Sequence, residues 1–110
     1  MIGTTNVIVK MLPNYSKAIT VTETTRNVSA SSPFTYTCPS DGWIFITLGK
    51  TSSSGDGYID INGVRVAMTV HYSAYFAPFT ALCSKGDQIK VYGESGYTFG
   101  LRYFKFIPII

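Results

Sequence analysis

The sequence predicts an all-β, antiparallel β-sandwich or jelly roll built from one domain over 1–110. Val, Ile, Thr, Tyr and Phe recur in short alternating runs, and helical periodicity is nearly absent. Gly, Ser, Asn and Asp punctuate those runs at regular intervals. A chain of 110 residues is also the size of one core and shows no internal repeat.

In chain order, strands are expected at 7–11, 18–24, 34–37, 43–48, 58–61, 64–70, 74–79, 88–92 and 97–106. The first fifteen residues are either a first strand or a docking arm. The Ser-rich stretches 26–33 and 50–57 read as connections. Ser40-Asp41-Gly42, Lys85-Gly86-Asp87 and Glu94-Ser95-Gly96 supply turns. Asn62-Gly63 between two short strands is the strongest hairpin signal, because both central residues of that turn need positive φ. Asp41 and Asp87 are expected to accept bonds from nearby backbone amides and so fix their corners.

Composition narrows the partners. Hydrophobic residues make up 45%, aromatics 15% and charged residues only 14%, against about 25% charged in an average soluble protein. So few charges leave apolar surface that a subunit interface would cover. Two stretches sharpen this. Trp43, Ile44, Phe45, Ile46 and Leu48 make both faces of one strand apolar. The closing run from Tyr103 through Phe104, Phe106, Ile107 and Ile109 to Ile110 carries one charge, Lys105. Trp43, Phe45, Phe104, Phe106, Ile107 and Ile109 are therefore the candidate subunit-interface residues. The net charge of +3 comes from scattered Lys and Arg with no stripe, which argues against nucleic acid. No signal peptide and no run of about 20 apolar residues is visible, so neither secretion nor membrane insertion is expected. Cys38 and Cys83 are either two buried thiols or one disulfide in an oxidising compartment.

Four segments resemble the C1q/TNF-like jelly roll. FTYTCPSDGWIFIT (34–47) is similar to its apolar–proline–glycine–aromatic strand entry, and YIDINGVRVA (58–67) to its strand–Asn-Gly–strand unit. FTALCSKGDQIKVYG (79–93) resembles its Lys-Gly-Asp unit, and GLRYFKFIPII (100–110) its last strand. The resemblance implies a homotrimer with that last strand at its centre. Similar short domains form the tips of bacteriophage fibres and other virion parts, which implies a virion protein made in the bacterial cytoplasm. The chain is shorter than the animal domains and carries no stalk segment.

Catalysis is not expected. His71 is the sole histidine, and no nucleophile-elbow pattern surrounds any serine. The carboxylates Asp41, Asp56, Asp60, Asp87 and Glu94 sit at turns or strand starts, not paired as glycosidase chemistry needs. No cofactor or metal is expected. Aligning Gly57 to the glycine of a calcium loop leaves Asp56 as the one carboxylate ligand, with Ser52 and Ser54 in the other acidic places. A looser site from Asp56 and Asp60 is the alternative, and a solvated loop is the ordinary reading of these residues. Binding is expected at the polar-aromatic stretch His71, Tyr72 and Tyr75, and at the Ser-rich loop with Ser53 and Asp56, near Lys50 and Arg65 in sequence. The function expected is a non-enzymatic trimeric fibre-tip module that binds a host glycan or protein receptor. The alternative is a purely structural capsid-decoration or head-fibre protein.

Overall fold

A computed structural model describes residues 11–22, 26–50, 55–69 and 77–110. Among the described residues, nine strands run in the order β1 (Ile19–Thr22), β2 (Arg26–Val28), β3 (Phe34–Thr37), β4 (Gly42–Lys50), β5 (Gly57–Ile61), β6 (Val64–Met68), β7 (Ala77–Cys83), β8 (Gln88–Gly93) and β9 (Phe99–Pro108). Among the described residues the helical structure is a single 3-10 turn, Tyr15–Lys17. Every strand pairing among the described residues is antiparallel. One sheet runs β1-β9-β4-β7, with β2 also on β9, and the other runs β3-β8-β5-β6. The two sheets close over one core, so the chain is an all-β antiparallel two-sheet sandwich, as its strand pattern predicts.

Alternation explains the core. Ile44, Ile46 and Leu48 of β4 point inward and are buried, while Trp43, Phe45 and Thr47 point outward and are half-buried. The opposite sheet supplies Ile59, Ile89 and Val91. Phe104 of β9 meets the rings of Phe34 and Tyr36 edge-on, at centroid distances of 5.9 and 5.3 Å.

β9 is why the closing run looks two-faced in sequence. Leu48 pairs with Leu101 while the adjacent Thr47 pairs with Tyr103, so Arg102 is an extra residue on β9. This bulge reverses the phase. Phe99 and Leu101 point inward before it, and Phe104 and Phe106 point inward after it. Phe104 and Phe106 are thus wholly buried in the chain's own core, which corrects their assignment to a subunit interface. Ile107 is buried and Ile109 is half-buried, beside the chain's own N-terminal segment. Pro13 bridges to Ile109, the Asn14 N–H donates to the Pro108 carbonyl at 2.7 Å, and the Ile110 N–H donates to the Leu12 carbonyl at 2.9 Å. Residues 11–14 therefore do the work of a first strand for the C-terminus. Residues 1–10 lie outside the described residues, and with them nearly all of the strand expected at 7–11.

Three further expectations shift. Arg26–Val28, expected as a connection, is a strand because it continues the β1 edge along β9. The strand expected to end at 79 runs on to Cys83 in β7, Ala77–Cys83, paired with β4 from Leu48 to Gly42, while 74–76 lie outside the described residues. The last strand starts at Phe99 and not at Tyr97, since 94–97 closes a turn through a Tyr97 N–H to Glu94 carbonyl bond of 3.1 Å. The Asn-Gly hairpin stands as expected. Asn62 has φ 53° and Gly63 φ 80°, joining β5 to β6.

Candidate functional site

The outer face of the four-stranded sheet carries a cluster that the strand register assembles. Tyr58 and Asp60 alternate onto one face of β5, and Lys90 and Tyr92 onto the same face of β8. Tyr58 sits opposite Tyr92, and Asp60 opposite Lys90. On the other side of β5, Asp60 sits opposite Arg65 of β6, because a bulge at Val66 shifts that pairing. Five side chains from three strands thus converge, and the tight hairpin at Asn62-Gly63 sets the register of two of those strands.

Their contacts form one connected unit. The Tyr58 and Tyr92 ring centroids are 5.2 Å apart. The Arg65 guanidinium lies 3.6 Å from the Tyr58 ring centroid, and one of its nitrogens donates to the Tyr92 hydroxyl at 3.3 Å. The Tyr92 hydroxyl in turn donates to Asp60 Oδ2 at 2.9 Å. The Lys90 ammonium stands 4.5 Å from the Tyr92 ring centroid. Asp60 is 8% exposed, and its Oδ1 is buried without a hydrogen-bond partner among the described residues. A buried carboxylate is costly unless paired, so Asp60 depends on the Tyr92 hydroxyl and on the cations around it. Loss of solvent, followed by the negative charge of Glu94, pushes the Tyr58 phenol above its ordinary value, and Arg65 opposes this. The unit presents two cations and two aromatic rings outward over a sunken carboxylate. It can stack on a flat apolar ligand face and donate hydrogen bonds to its oxygens.

The outer face of the other sheet is more apolar. Trp43 lies between Leu82 and Ile107, Phe45 between Thr80 and Lys105, and Thr47 between Pro78 and Tyr103. Trp43, Phe45 and Tyr103 are half-buried, and Leu82 is exposed. The Trp43 indole N–H donates to the Met11 carbonyl at 2.6 Å, holding residues 11–15 along this face. Pro13, Tyr15, Trp43, Phe45 and Thr80 line a shallow cleft of about 270 Å³ here.

Of the residues expected to contact a receptor, Ser53, His71, Tyr72 and Tyr75 lie outside the described residues. Asp56 precedes β5, and its backbone carbonyl accepts from the Glu94 N–H at 2.7 Å. Gly57 opens β5 and is not the centre of a loop. Among the described residues no group of three or more His, Cys, Asp or Glu is placed to hold a metal, and no helix is long and apolar enough to cross a membrane. Asp41 and Asp87 do brace corners. Asp41 Oδ1 accepts from the Lys85 N–H and Asp87 Oδ2 from the Ser84 N–H, both at 2.8 Å. The turn 94–97 borders a polar cleft of about 490 Å³ whose lining includes Ser29, Ser31, Ser95, Tyr97 and Thr98. Sequence alone does not single out Tyr58, Lys90 and Tyr92. The signal for them is the polar-aromatic alternation of Tyr58-x-Asp60 and Lys90-x-Tyr92 on strands whose other face is aliphatic.

No family model matches the chain, and no curated protein matches it. Among solved structures it is similar to a family 35 carbohydrate binding module from Clostridium thermocellum, with 14% identity and a TM-score of 0.46 over 88% of this chain and 95% of that one. The sheet pairings define the two-sheet sandwich without this likeness.

Proposed function

We propose that the domain is a non-catalytic binding module of a virion, presented as a homotrimer, whose four-stranded sheet contacts a glycan on the host surface. The observation that supports the glycan is the Tyr58–Tyr92 pair, braced by Arg65 and Asp60 on an open sheet face. Sugar rings offer apolar C–H faces and many hydroxyls. A pre-ordered tyrosine pair with charged donors beside it meets both without ordering new side chains on binding. The trimer is supported by the apolar outer face around Trp43, Phe45 and Leu82 and by the resemblance of the closing strand to that of C1q/TNF-like domains. One platform per copy gives weak contacts, and three on one rigid body reinforce one another through effective concentration.

A glycan array probed with the intact protein tests this reading. Binding to a defined set of glycans is expected, with loss in a Tyr58→Ala/Tyr92→Ala variant that keeps its assembly state. An array without signal, or a variant that binds equally well, would count against the glycan. The apolar face around Trp43 also favours a second reading, in which the domain serves assembly alone as a decoration or head-fibre protein. That reading expects particle binding and no host-surface binding.

A further inference from the structure

Cys38 and Cys83 stand apart from both outer faces. Cys38 follows β3 of one sheet, and Cys83 ends β7 of the other. Both are buried, at 1% and 5% exposure, in a core that is otherwise aliphatic and aromatic. Their sulfur atoms are 3.0 Å apart. That is closer than unbonded sulfurs rest, and about 1 Å beyond a covalent S–S bond. The surrounding backbone holds this approach in place. The Cys38 N–H donates to the Asp87 carbonyl at 2.9 Å, and the Gly86 N–H donates to the Cys38 carbonyl at 2.8 Å, so Cys38 is tied to the turn that follows Cys83. Cys83 is paired with Gly42 at the start of β4. Closing the remaining gap takes about 1 Å of sulfur movement between two positions that these backbone bonds already hold together.

We infer that Cys38 and Cys83 form an intramolecular disulfide that staples the two sheets where the chain crosses between them. The oxidant is a small-molecule disulfide of the glutathione type. One cysteine thiolate attacks it, forming a mixed disulfide and releasing one thiolate. The second cysteine thiolate attacks the protein-bound sulfur and releases the other. The two cysteines lose two electrons and two protons, and the small disulfide becomes two thiols. Burial pushes both cysteine thiols above their ordinary value, so exchange is slow in the folded state. The bond accordingly forms while the corner is open or during folding, and it resists reductant once the sandwich has closed. It encloses β4 to β7, a long loop in chain terms, and so removes much freedom from the unfolded chain.

The full chain is refolded from urea with oxidised glutathione and, in parallel, with excess reductant. Thiols are then counted in denaturant with Ellman's reagent, and a non-reduced digest is weighed. The oxidised sample is expected to show no reactive thiol, a monomeric band on a non-reducing gel, and a Cys38–Cys83 peptide pair lighter by two hydrogens. It is expected to melt on the order of 10 °C above the reduced sample. Cys38→Ser and Cys83→Ser should each abolish that redox dependence. If either variant fails to fold, the oxidised and reduced wild-type chains still decide. Two free thiols after oxidative refolding, coincident melting curves, or disulfide-linked dimers would overturn the inference.

Discussion

The ring of Phe99 occupies the space a side chain at Gly93 would need: a Cβ there would stand 2.3 Å from the ring Cδ2 and 2.6 Å from Cε2. Gly93 ends β8 in one sheet and Phe99 begins β9 in the other. Their contact sets how the chain crosses the sandwich. Gly93→Ala must push a fully buried ring aside, and is expected to cost about 1–3 kcal/mol. Urea unfolding measures it, and an unchanged midpoint would show that the ring gives way freely.

Core and outer-face aromatics should separate cleanly. Phe104→Ala removes a wholly buried ring and is expected to cost about 3–5 kcal/mol. Trp43→Ala removes a half-buried ring and one hydrogen bond to Met11, so its cost to the single chain is expected at about 1–2 kcal/mol. The proposed trimer gives Trp43 and Phe45 a different readout. Trp43→Ser/Phe45→Ser should shift light-scattering mass from trimer to monomer while leaving a folded β spectrum. Removing the residues after Leu101 is not an equivalent test, because it deletes Phe104 and Phe106 from the core of the single chain. A wild-type chain that is already monomeric at high concentration removes the trimer.

Acid should weaken the corner at Asp87. The Ser84 N–H, followed by the Asn62 amide, holds the Asp87 carboxyl below its ordinary value. A carboxyl depressed on folding adds stability that is fully present above its unfolded pKa, about 3.9, and is lost as pH falls through the folded value. Asp87→Asn lacks this contribution. Wild type and variant should therefore differ in melting temperature at neutral pH and converge in acid, once the pH has fallen through the lowered value of the Asp87 carboxyl. A difference that stays constant through that fall would mean that the charge plays no part.

Much of this fold is legible in the sequence wherever local chemistry sets it. Asn62-Gly63 announces its hairpin because few other pairs accept two positive φ values. Trp43 to Leu48 announces β4 by β-propensity alone, although which of its faces is core depends on what the other sheet brings. The closing run is legible as a strand but not as a single-faced one, because the extra residue at Arg102 reverses its phase and only the pairing with β4 reveals it. Arg26–Val28 is too short and too polar to announce itself and exists because β9 offers it an edge. The platform was hidden for a similar reason. Tyr58, Arg65 and Tyr92 are unremarkable singly, and only the β5–β8 and β5–β6 registers bring them together.

Within that platform the bond from the Tyr92 hydroxyl to Asp60 is expected to be a strong one. Asp60 is buried, its other oxygen has no partner among the described residues, and Oδ2 relies on this hydroxyl. Tyr92→Phe leaves both oxygens short of donors and is expected to cost about 1–3 kcal/mol. Asp60→Asn keeps an acceptor for the hydroxyl while removing the buried charge, so it should cost less than Tyr92→Phe. In the double variant the two losses should not add, with a coupling of about 0.5–3 kcal/mol from a double-mutant cycle in urea. Additive losses would mean that the hydroxyl and the carboxylate act independently, and Arg65 would then be left as the group that orients Tyr92.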